Sequence, residues 1–307
     1  MAEGANRSGR FDRRGKDEVK AEMAKKAVRH LKAMDELYAK EIDASFDAVT
    51  YCESTPSAVG EPCVPSVVVL DQQAALTVVD NGRGRAQYCD MALIDSASFT
   101  SPAGGYEKGA RGLEAELCEA SFLGNVLARC KDWYAQNRRR HINCELYRNR
   151  GMIVPRVRFN HDRLHAYADV VVVAAPNKRA ASCEYKVDEQ VLKRALAERV
   201  SFCLALADST GDEKLVLNAF GCGFQGWDAL EVAEAFRAEL AGGAHVAKEV
   251  FIAVPRSRRN ENLAKFTHVF SEFPGAPRQA YASVLAEPAP RREESVEEDE
   301  DWRKYLA

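Results

Sequence analysis

Short, continuous runs of apolar residues constrain the fold of this chain more than any other feature. The clearest run is VVVVAA at residues 170–175, and similar runs occupy 67–70, 91–94, 215–217 and 250–254. A strand that is apolar on both sides must be covered on both faces of its sheet. Helical patterns lie between these strands along the chain, which predicts an α/β protein with helices on both sides of one sheet.

Several segments have the composition and apolar spacing of helices. We predict them at residues 17–42, 113–134, 187–207, 228–240 (with Asp228 as its N-cap) and 260–270. Because no clear boundary precedes about residue 274, the economical prediction is one three-layer α/β/α domain over residues 17–273. In this domain a mixed central sheet follows an N-terminal helical extension, residues 17–65.

The formal net charge of −3 conceals charge segregation along the chain. Residues 1–16 are rich in arginine and glycine and are predicted to be a disordered basic segment. Residues 274–307 are predicted to be a flexible tail, since 287–301 contain eight acids and two arginines. Residues 138–158 contain seven arginines and one acid, Glu145. This basic stretch could contact phosphates, but a solvated surface loop is the interpretation we favour.

Other features narrow the class of protein. The nine cysteines are scattered without a C-x-x-C pair, which predicts free thiols and no zinc site. His161 and His165 are four residues apart but have no third metal ligand at a suitable spacing. The N-terminus lacks the apolar core of a secretory signal, and no apolar run approaches the roughly 20 residues that span a bilayer. We expect a cytoplasmic protein without a membrane, metal, cofactor or specific nucleic-acid partner.

Two glycine-rich loops each join a predicted strand to a predicted helix. The first contains Gly104, Gly105, Gly109 and Gly112, and the second contains Gly221, Gly223 and Gly226. Such loops allow backbone N–H groups to approach an anion at a helix N-terminus. Neither loop contains the P-loop or the dinucleotide-binding pattern. A tight turn explains either loop alone equally well, but two loops at the carboxyl ends of strands favour a ligand site.

Three segments around these loops occur in an order found in one family. They are SPAGGYEKGARGLEAEL at 101–117, DVVVVAAPN at 169–177 and LVLNAFGCGFQGWD at 215–228. In this order they resemble three features of microbial-type poly(ADP-ribose) glycohydrolases. These are a Pro-Gly-Gly-Gly loop followed by Gly-Ala-x-x-Gln-Glu-Glu, a strand ending in Ala-Pro-Asn, and a Gly-Cys-Gly-Val-Phe-Gly-Asn phosphate loop. The resemblance covers roughly residues 15–272.

The resemblance implies a macrodomain-like fold whose partner is ADP-ribose, or a protein or polymer that carries it. By this resemblance Glu114 is the catalytic residue. The ligand-binding residues that it implies are Asp95, Gly104, Gly105, Tyr106, Gly109, Asn177, Gly221, Cys222, Gly223, Phe224, Gln225 and Gly226. The resemblance assigns no nucleophilic role to Cys222, so we interpret its thiol as structural.

The chain departs from the family pattern at important positions. In the family, one glutamate positions the ribose and the next protonates the leaving oxygen; these align with Glu114 and Ala115. Glu116 is rotated by about 100° from position 115 on a helix, so we do not expect it to substitute. In the second loop Phe224 is displaced by one position from the family's aromatic residue. Ala103 replaces a glycine, a mild change unless φ must be positive there.

These observations leave three hypotheses open. The first is a glycohydrolase that cleaves the O-glycosidic bond with Glu114 and water, impaired by Ala115. The second is a non-catalytic reader of ADP-ribose, and the third is an interaction scaffold. Arg138–Arg140 and His141 could lie along an anionic polymer, although arginine runs are usually solvated.

Overall fold

The structure is a computed structural model that describes residues 5–283, with the backbone alone for residues 5–14 and 16. Most of the predicted acidic tail, residues 284–307, lies outside the described residues, as do residues 1–4. The described helices are α1 Ala5–Asp47, α2 Ala74–Asn81, α3 Leu113–Glu119, α4 Leu123–Arg129, α5 Lys131–Arg140, α6 Lys178–Cys183, α7 Glu189–Asp208, α8 Ala229–Ala241 and α9 Asn262–Phe270. The described strands are β1 Thr50–Cys52, β2 Ser66–Leu70, β3 Met91–Ser96, β4 Gly151–His161, β5 Leu164–Val173, β6 Lys214–Asn218 and β7 Glu249–Ala253.

The seven strands form one mixed sheet in the order β1-β4-β5-β3-β6-β7-β2. Strands β5, β3, β6, β7 and β2 run parallel, whereas β4 pairs antiparallel with both β1 and β5. The carboxyl ends of the central parallel strands therefore meet at one edge of the sheet. This is the edge where an open α/β sheet binds its ligand.

The core divides into one hydrophobic cluster on each face of the sheet. Along β3, Ala92 and Ile94 enter the cluster that contains α7, α8 and α9. Met91 and Leu93 alternate with them along the strand and enter the cluster that contains α1 to α5. Successive strand residues point to opposite faces, so covering both faces requires a continuous apolar run. The predicted three-layer α/β/α arrangement with a mixed sheet is confirmed.

The helices differ from the predicted boundaries in two places. Helix α1 begins at Ala5, so residues 5–16 have a helical backbone where composition predicted disorder. No proline interrupts this segment, and each added residue gains a hydrogen bond from an existing helix. The predicted helix at 113–134 is divided into α3, α4 and the start of α5, with breaks at Ala120 and Cys130.

Four elements were not predicted at all, namely α2, α6, β1 and β4. Helix α2 follows β2 directly, and β4 occupies the second half of the stretch that we expected to be a solvated loop. Strand β4 forms a hairpin with β5, in which Asn160 faces His165 and His161 faces Leu164. The two histidines therefore lie on adjacent strands and not on one helix.

Helix α1 supports the first glycine loop from behind. Ala27 and Ile42 are buried, and Asn125 Nδ2 donates a hydrogen bond to the Leu31 carbonyl, which ties α1 to α4. Gly109 approaches the α1 backbone so closely that a Cβ there would overlap the Lys20 carbonyl. The N-terminal helix is therefore part of the structure that positions the loop. Within residues 5–283, no helix combines the length and apolar character required to cross a bilayer.

A buried histidine–aspartate pair fastens the end of α7 to the chain before β7. His245 Nδ1 lies 2.7 Å from Asp208 Oδ2, and Asp208 Oδ1 accepts a hydrogen bond from the Val246 amide. Burial lowers the pKa of His245, but the hydrogen bond and charge of Asp208, with the charge of Glu239, outweigh it, and the pKa is raised. The protonated pair thus stabilises the fold.

We predict that this contribution depends on pH. Because the folded pKa of His245 is raised, its stabilisation is complete below the unfolded pKa of about 6.5 and is lost as pH rises through the folded value. The difference in unfolding free energy between wild type and His245→Gln, from urea denaturation at pH 5.5 to 9, should shrink with rising pH. His161→Gln, at an exposed histidine, is the control. A difference that grows with pH would contradict this assignment.

Candidate functional site

A cleft of about 950 Å³ opens at the carboxyl edge of the central strands. The first glycine loop forms one side, and the second loop with the start of α6 forms another. The loop between α5 and β4 contributes Glu145 and Tyr147. The volume of the cleft is suited to a ligand as large as a dinucleotide fragment, since typical small-molecule pockets enclose about 300–1,000 Å³.

Glu114 is the buried carboxyl at the base of this cleft. It lies in the first turn of α3 and is 5% exposed, and its Oε2 accepts a 2.7 Å hydrogen bond from the Ser98 amide. Its Oε1 is buried and accepts no hydrogen bond from any described residue. Burial, together with the nearby charge of Asp95, raises the pKa of Glu114 well above its ordinary value. Glu114 therefore holds a proton more firmly than a surface carboxyl does.

Asp95 lies beneath Glu114 rather than in the cleft. It is fully buried near the end of β3, and neither carboxyl oxygen has a hydrogen-bond partner among the described residues. Burial raises the pKa of Asp95 to about 8. Asp95 is not among the residues that line the cleft, because β3 directs this side chain into the core, and its contact with a ligand stays a prediction. Its carboxyl instead belongs to the surroundings that favour the protonated form of Glu114.

The first loop depends on the missing side chain of Gly104. Its φ is 58°, and a Cβ at this position would lie 2.7 Å from Glu114 Oε2. Ala103 also has a positive φ, 51°, so the replacement of glycine here is not mild: left-handed backbone costs a residue with a side chain roughly 1–2 kcal/mol. The loop thus adopts this conformation at some energetic cost.

The second loop is fastened from below and open above. The Gly221 amide donates to Ser96 Oγ at 3.1 Å, and Trp227 Nε1 donates to the Pro176 carbonyl at 2.7 Å. A Cβ on Gly221 would meet Ala175 and Trp227, whereas a Cβ on Gly223 would meet nothing within 4 Å. Phe224 is 72% exposed at the mouth of the cleft. The loop therefore presents unobstructed backbone and one aromatic surface to a ligand.

The position after Glu114 carries no proton donor. Ala115 lines the cleft and is 8% exposed, so the residue after Glu114 contributes only a methyl group to the cleft wall. Glu116 does not line the cleft, as the rotation along a helix predicts.

An unpredicted buried arginine holds the remaining side of the cleft. Arg199, 2% exposed on α7, donates from Nε to Asn149 Oδ1 and from its Nη atoms to the carbonyls of Ala174, Leu146 and Tyr147. Burial lowers its pKa to about 10. Its planar fork of donors joins the α5–β4 loop to the end of β5.

The structure separates the sequence-predicted site residues into two groups. Those that line the cleft are Gly104, Glu114, Asn177, Gly223, Phe224 and Gln225. The others are not among the residues that line the cleft, and their contact with a ligand stays a prediction; they are Asp95, Gly105, Tyr106, Gly109, Gly221, Cys222 and Gly226. Spacing in the loops could not separate the groups, because successive loop residues face different ways.

The surroundings of two residues in the second group can be described in detail. Tyr106 is 6% exposed, and its hydroxyl lies 3.3 Å from His30 Nδ1 on α1. Burial raises the pKa of Cys222 to about 12, which suits the structural role that we assigned to its thiol.

Cleft residues that we did not predict include Ser98, Phe99, Arg111, Arg179, Glu145 and Tyr147. Arg179 follows Asn177 closely, and its position beside a predicted residue could have indicated it. Glu145 and Tyr147 lie within the basic stretch at residues 138–158. The only sequence signal for them was the presence of an aromatic residue, Tyr147, among the arginines.

The basic stretch is more structural than its sequence suggests. Arg150 is buried, stacks on Trp133 with its guanidinium 3.8 Å from the ring centroid, and pairs with Glu53. Arg138 Nε donates to the Thr100 carbonyl in the first loop. A uniformly solvated loop is therefore wrong for this segment. Within the described part of the chain, no group of three His, Cys, Asp or Glu side chains is arranged to hold a metal ion.

The fold and the cleft together define a three-layer α/β/α protein with a buried acid between two glycine loops. The family model of the microbial-type PARG catalytic domain, where PARG is poly(ADP-ribose) glycohydrolase, matches residues 9–161. The expected resemblance to this family is thereby confirmed over residues 9–161. No curated protein sequence matches the chain at a significant level.

Solved structures of bacterial enzymes share the fold. Poly(ADP-ribose) glycohydrolase from Thermomonospora curvata superposes with a TM-score of 0.68 at 22% identity, covering 80% of this chain and 98% of that chain. The same enzyme bound to the inhibitor ADP-HPD gives 0.67 at 24% identity, covering 82% and 99%. The enzyme from Deinococcus radiodurans in complex with ADP-ribose gives 0.63 at 22% identity, covering 74% and 95%.

We predict that Gly104→Ala displaces the Glu114 carboxyl, because the new Cβ overlaps Oε2 and the backbone is left-handed. The expected destabilisation is about 2 kcal/mol, measured by urea denaturation. Gly84→Ala is the control, since a Cβ there makes only an ordinary contact, 3.5 Å from the His165 carbonyl. Equal stability of Gly104→Ala and wild type would show that Glu114 is not confined by this loop.

We also predict that Arg199→Lys loosens the α5–β4 loop. A lysine retains the charge but loses the fork that serves several carbonyls, so a loss of about 2 kcal/mol is expected. Hydrogen exchange should increase at the Tyr147 and Asn177 amides, which donate to the Ile142 and Glu145 carbonyls. Arg194→Lys, at an exposed position of α7, is the matched control. Unchanged exchange in Arg199→Lys would refute the clamp.

Proposed function

We propose that this protein binds ADP-ribose, free or attached to a protein or polymer, and hydrolyses the O-glycosidic bond of the bound unit. The observation that carries the proposal is the buried Glu114 carboxyl at the base of a cleft between two glycine loops. The family match over residues 9–161 supports it. Further support comes from the Deinococcus radiodurans relative, whose structure was solved with ADP-ribose.

The cleft offers a place for each chemical part of the ligand. The unobstructed backbone at Gly223 suits a diphosphate, since N–H groups in glycine loops bind anions without a side chain in the way. Arg111 and Arg179 line the same cleft and add positive charge. Phe224 offers an exposed ring on which a ribose or base can pack.

Glu114 is the residue that would carry the chemistry. A glycosidic bond breaks more readily when its leaving oxygen receives a proton as the C–O bond lengthens. Burial and the neighbouring Asp95 raise the pKa of Glu114, so its carboxyl is protonated at a pH where a surface glutamate is ionised. In the proposed reaction Glu114 donates this proton, and water supplies the new hydroxyl group.

Ala115 favours a second candidate, a reader that binds ADP-ribose without turnover. The methyl group lies in the cleft wall where the family sequence has its second glutamate. An alanine leaves the binding surfaces in place while removing one carboxyl from the reaction. The two candidates share the binding step and differ only in hydrolysis.

Calorimetric titration with ADP-ribose tests the shared step. Wild type should bind, and Glu114→Ala should bind more weakly because it removes the carboxyl at the base of the cleft. Glu116→Ala, on the same helix but outside the cleft, should match wild type. No binding at millimolar ADP-ribose would contradict both the enzyme and the reader and would leave an interaction scaffold.

We predict that Ala115→Glu increases turnover of poly(ADP-ribose). The added carboxyl restores the group implied by the family pattern, and a positioned acid or base contributes roughly 10²–10⁴-fold to such reactions. The measurement is the release of ADP-ribose from poly(ADP-ribose) and from ADP-ribosylated protein. A wild-type rate that Ala115→Glu does not improve would show that position 115 does not limit the reaction.

A further inference from the structure

The loop between α5 and β4 has an unusual backbone. Asn143, Cys144, Glu145 and Tyr147 all have positive φ values, between 49° and 64°. Residues with side chains disfavour this conformation, and it persists only where the surroundings impose it. Here the Arg199 guanidinium binds two carbonyls of the loop, and the Asn177 amide donates to the Glu145 carbonyl at 2.9 Å.

This conformation directs a carboxylate into the cleft. Glu145 and Tyr147 both line it, and the Tyr147 hydroxyl donates a 2.8 Å hydrogen bond to Glu145 Oε2. Glu145 Oε1 accepts no hydrogen bond from any residue in the described range. One carboxylate oxygen is therefore fixed by the tyrosine and the other is available to a ligand or a water.

The same contacts connect Glu145 to the catalytic carboxyl. The Tyr147 ring stacks on Phe99 with centroids 4.4 Å apart and an angle of 11° between the planes. Phe99 follows Ser98, whose amide holds Glu114. Both carboxyls of the cleft are thus positioned against the short segment of Ser98 and Phe99. Phe99 itself is only 4% exposed.

We propose that Glu145 is the second functional carboxylate of this site and accepts a proton from the attacking water. This inference rests on the proposed hydrolytic function. In the step, the water oxygen bonds to the anomeric carbon as the glycosidic C–O bond breaks. The leaving oxygen takes the proton of Glu114, and the water's proton passes to Glu145 Oε1. Both carboxyls then return to their starting protonation states by exchange with solvent. Glycosidases commonly divide the reaction between two such carboxyls.

A double-mutant cycle tests the assignment. Glu145→Gln should lower kcat on poly(ADP-ribose) by about 10²-fold or more with little change in KM, because the amide cannot accept the proton. In the Ala115→Glu background the same substitution should lower kcat by a similar factor, since a carboxyl at position 115 supplies the acid and leaves the base to Glu145. Glu234→Gln, at an exposed acid of α8, should leave the rate unchanged.

Chemical rescue separates catalysis from loop structure. Azide or formate added to Glu145→Ala should restore part of the lost turnover, because a small anion can take the place of the removed carboxylate. No loss in Glu145→Gln, or a loss in Glu145→Ala that neither azide nor formate restores in part, would overturn the proposal.

The remaining outcomes separate this inference from the proposed function. Turnover by Ala115→Glu but none by wild type would overturn the role of Glu145 while leaving ADP-ribose binding intact. Failure of wild type to bind ADP-ribose by calorimetry would overturn the proposed function, and the role of Glu145 with it.

Discussion

Burial of the Glu114 carboxyl is the constraint on which the rest of the site depends. A carboxyl removed from water favours its protonated form, and Asp95 beneath it strengthens this preference. The Ser98 amide fixes one oxygen, and the lack of a side chain at Gly104 makes room for it. Helix α1 packs behind the loop that covers this carboxyl. The long N-terminal helix thus helps to position this carboxyl, although it is distant from the cleft residues along the chain.

Backbone strain is concentrated around the cleft. Ala103 and Glu145 adopt left-handed conformations on two of its sides, and each conformation costs free energy. That cost is offset by the two hydrophobic clusters that cover the sheet, and by specific polar clamps such as Arg199. The loops of the site are tied to strands and helices that are buried for other reasons.

Much of the architecture followed from the sequence, whereas about half of the site did not. The strands at 170–175 and 215–217 were predictable because burial on both faces imposes continuous apolar runs. Glu114 and Phe224 were found through motif order, and both line the cleft. Strand β4 was missed because arginines interrupt the apolar pattern in and next to it. Some of those arginines stack on aromatic rings of the protein. Charge alone could not reveal that burial.

The sequence by itself determined the layers, the parallel strands that end in two glycine loops, and the presence of an alanine at position 115 beside Glu114. These features depend on local sequence patterns, namely the spacing of apolar residues and the type of each residue. Only the tertiary structure decided that Asp95 lies under the cleft, and that Glu145 and Tyr147 face into it. Those orientations arise from contacts between segments distant in sequence, such as Arg199 with the α5–β4 loop. No local pattern encodes which side of a loop meets a partner that arrives only when the chain has folded.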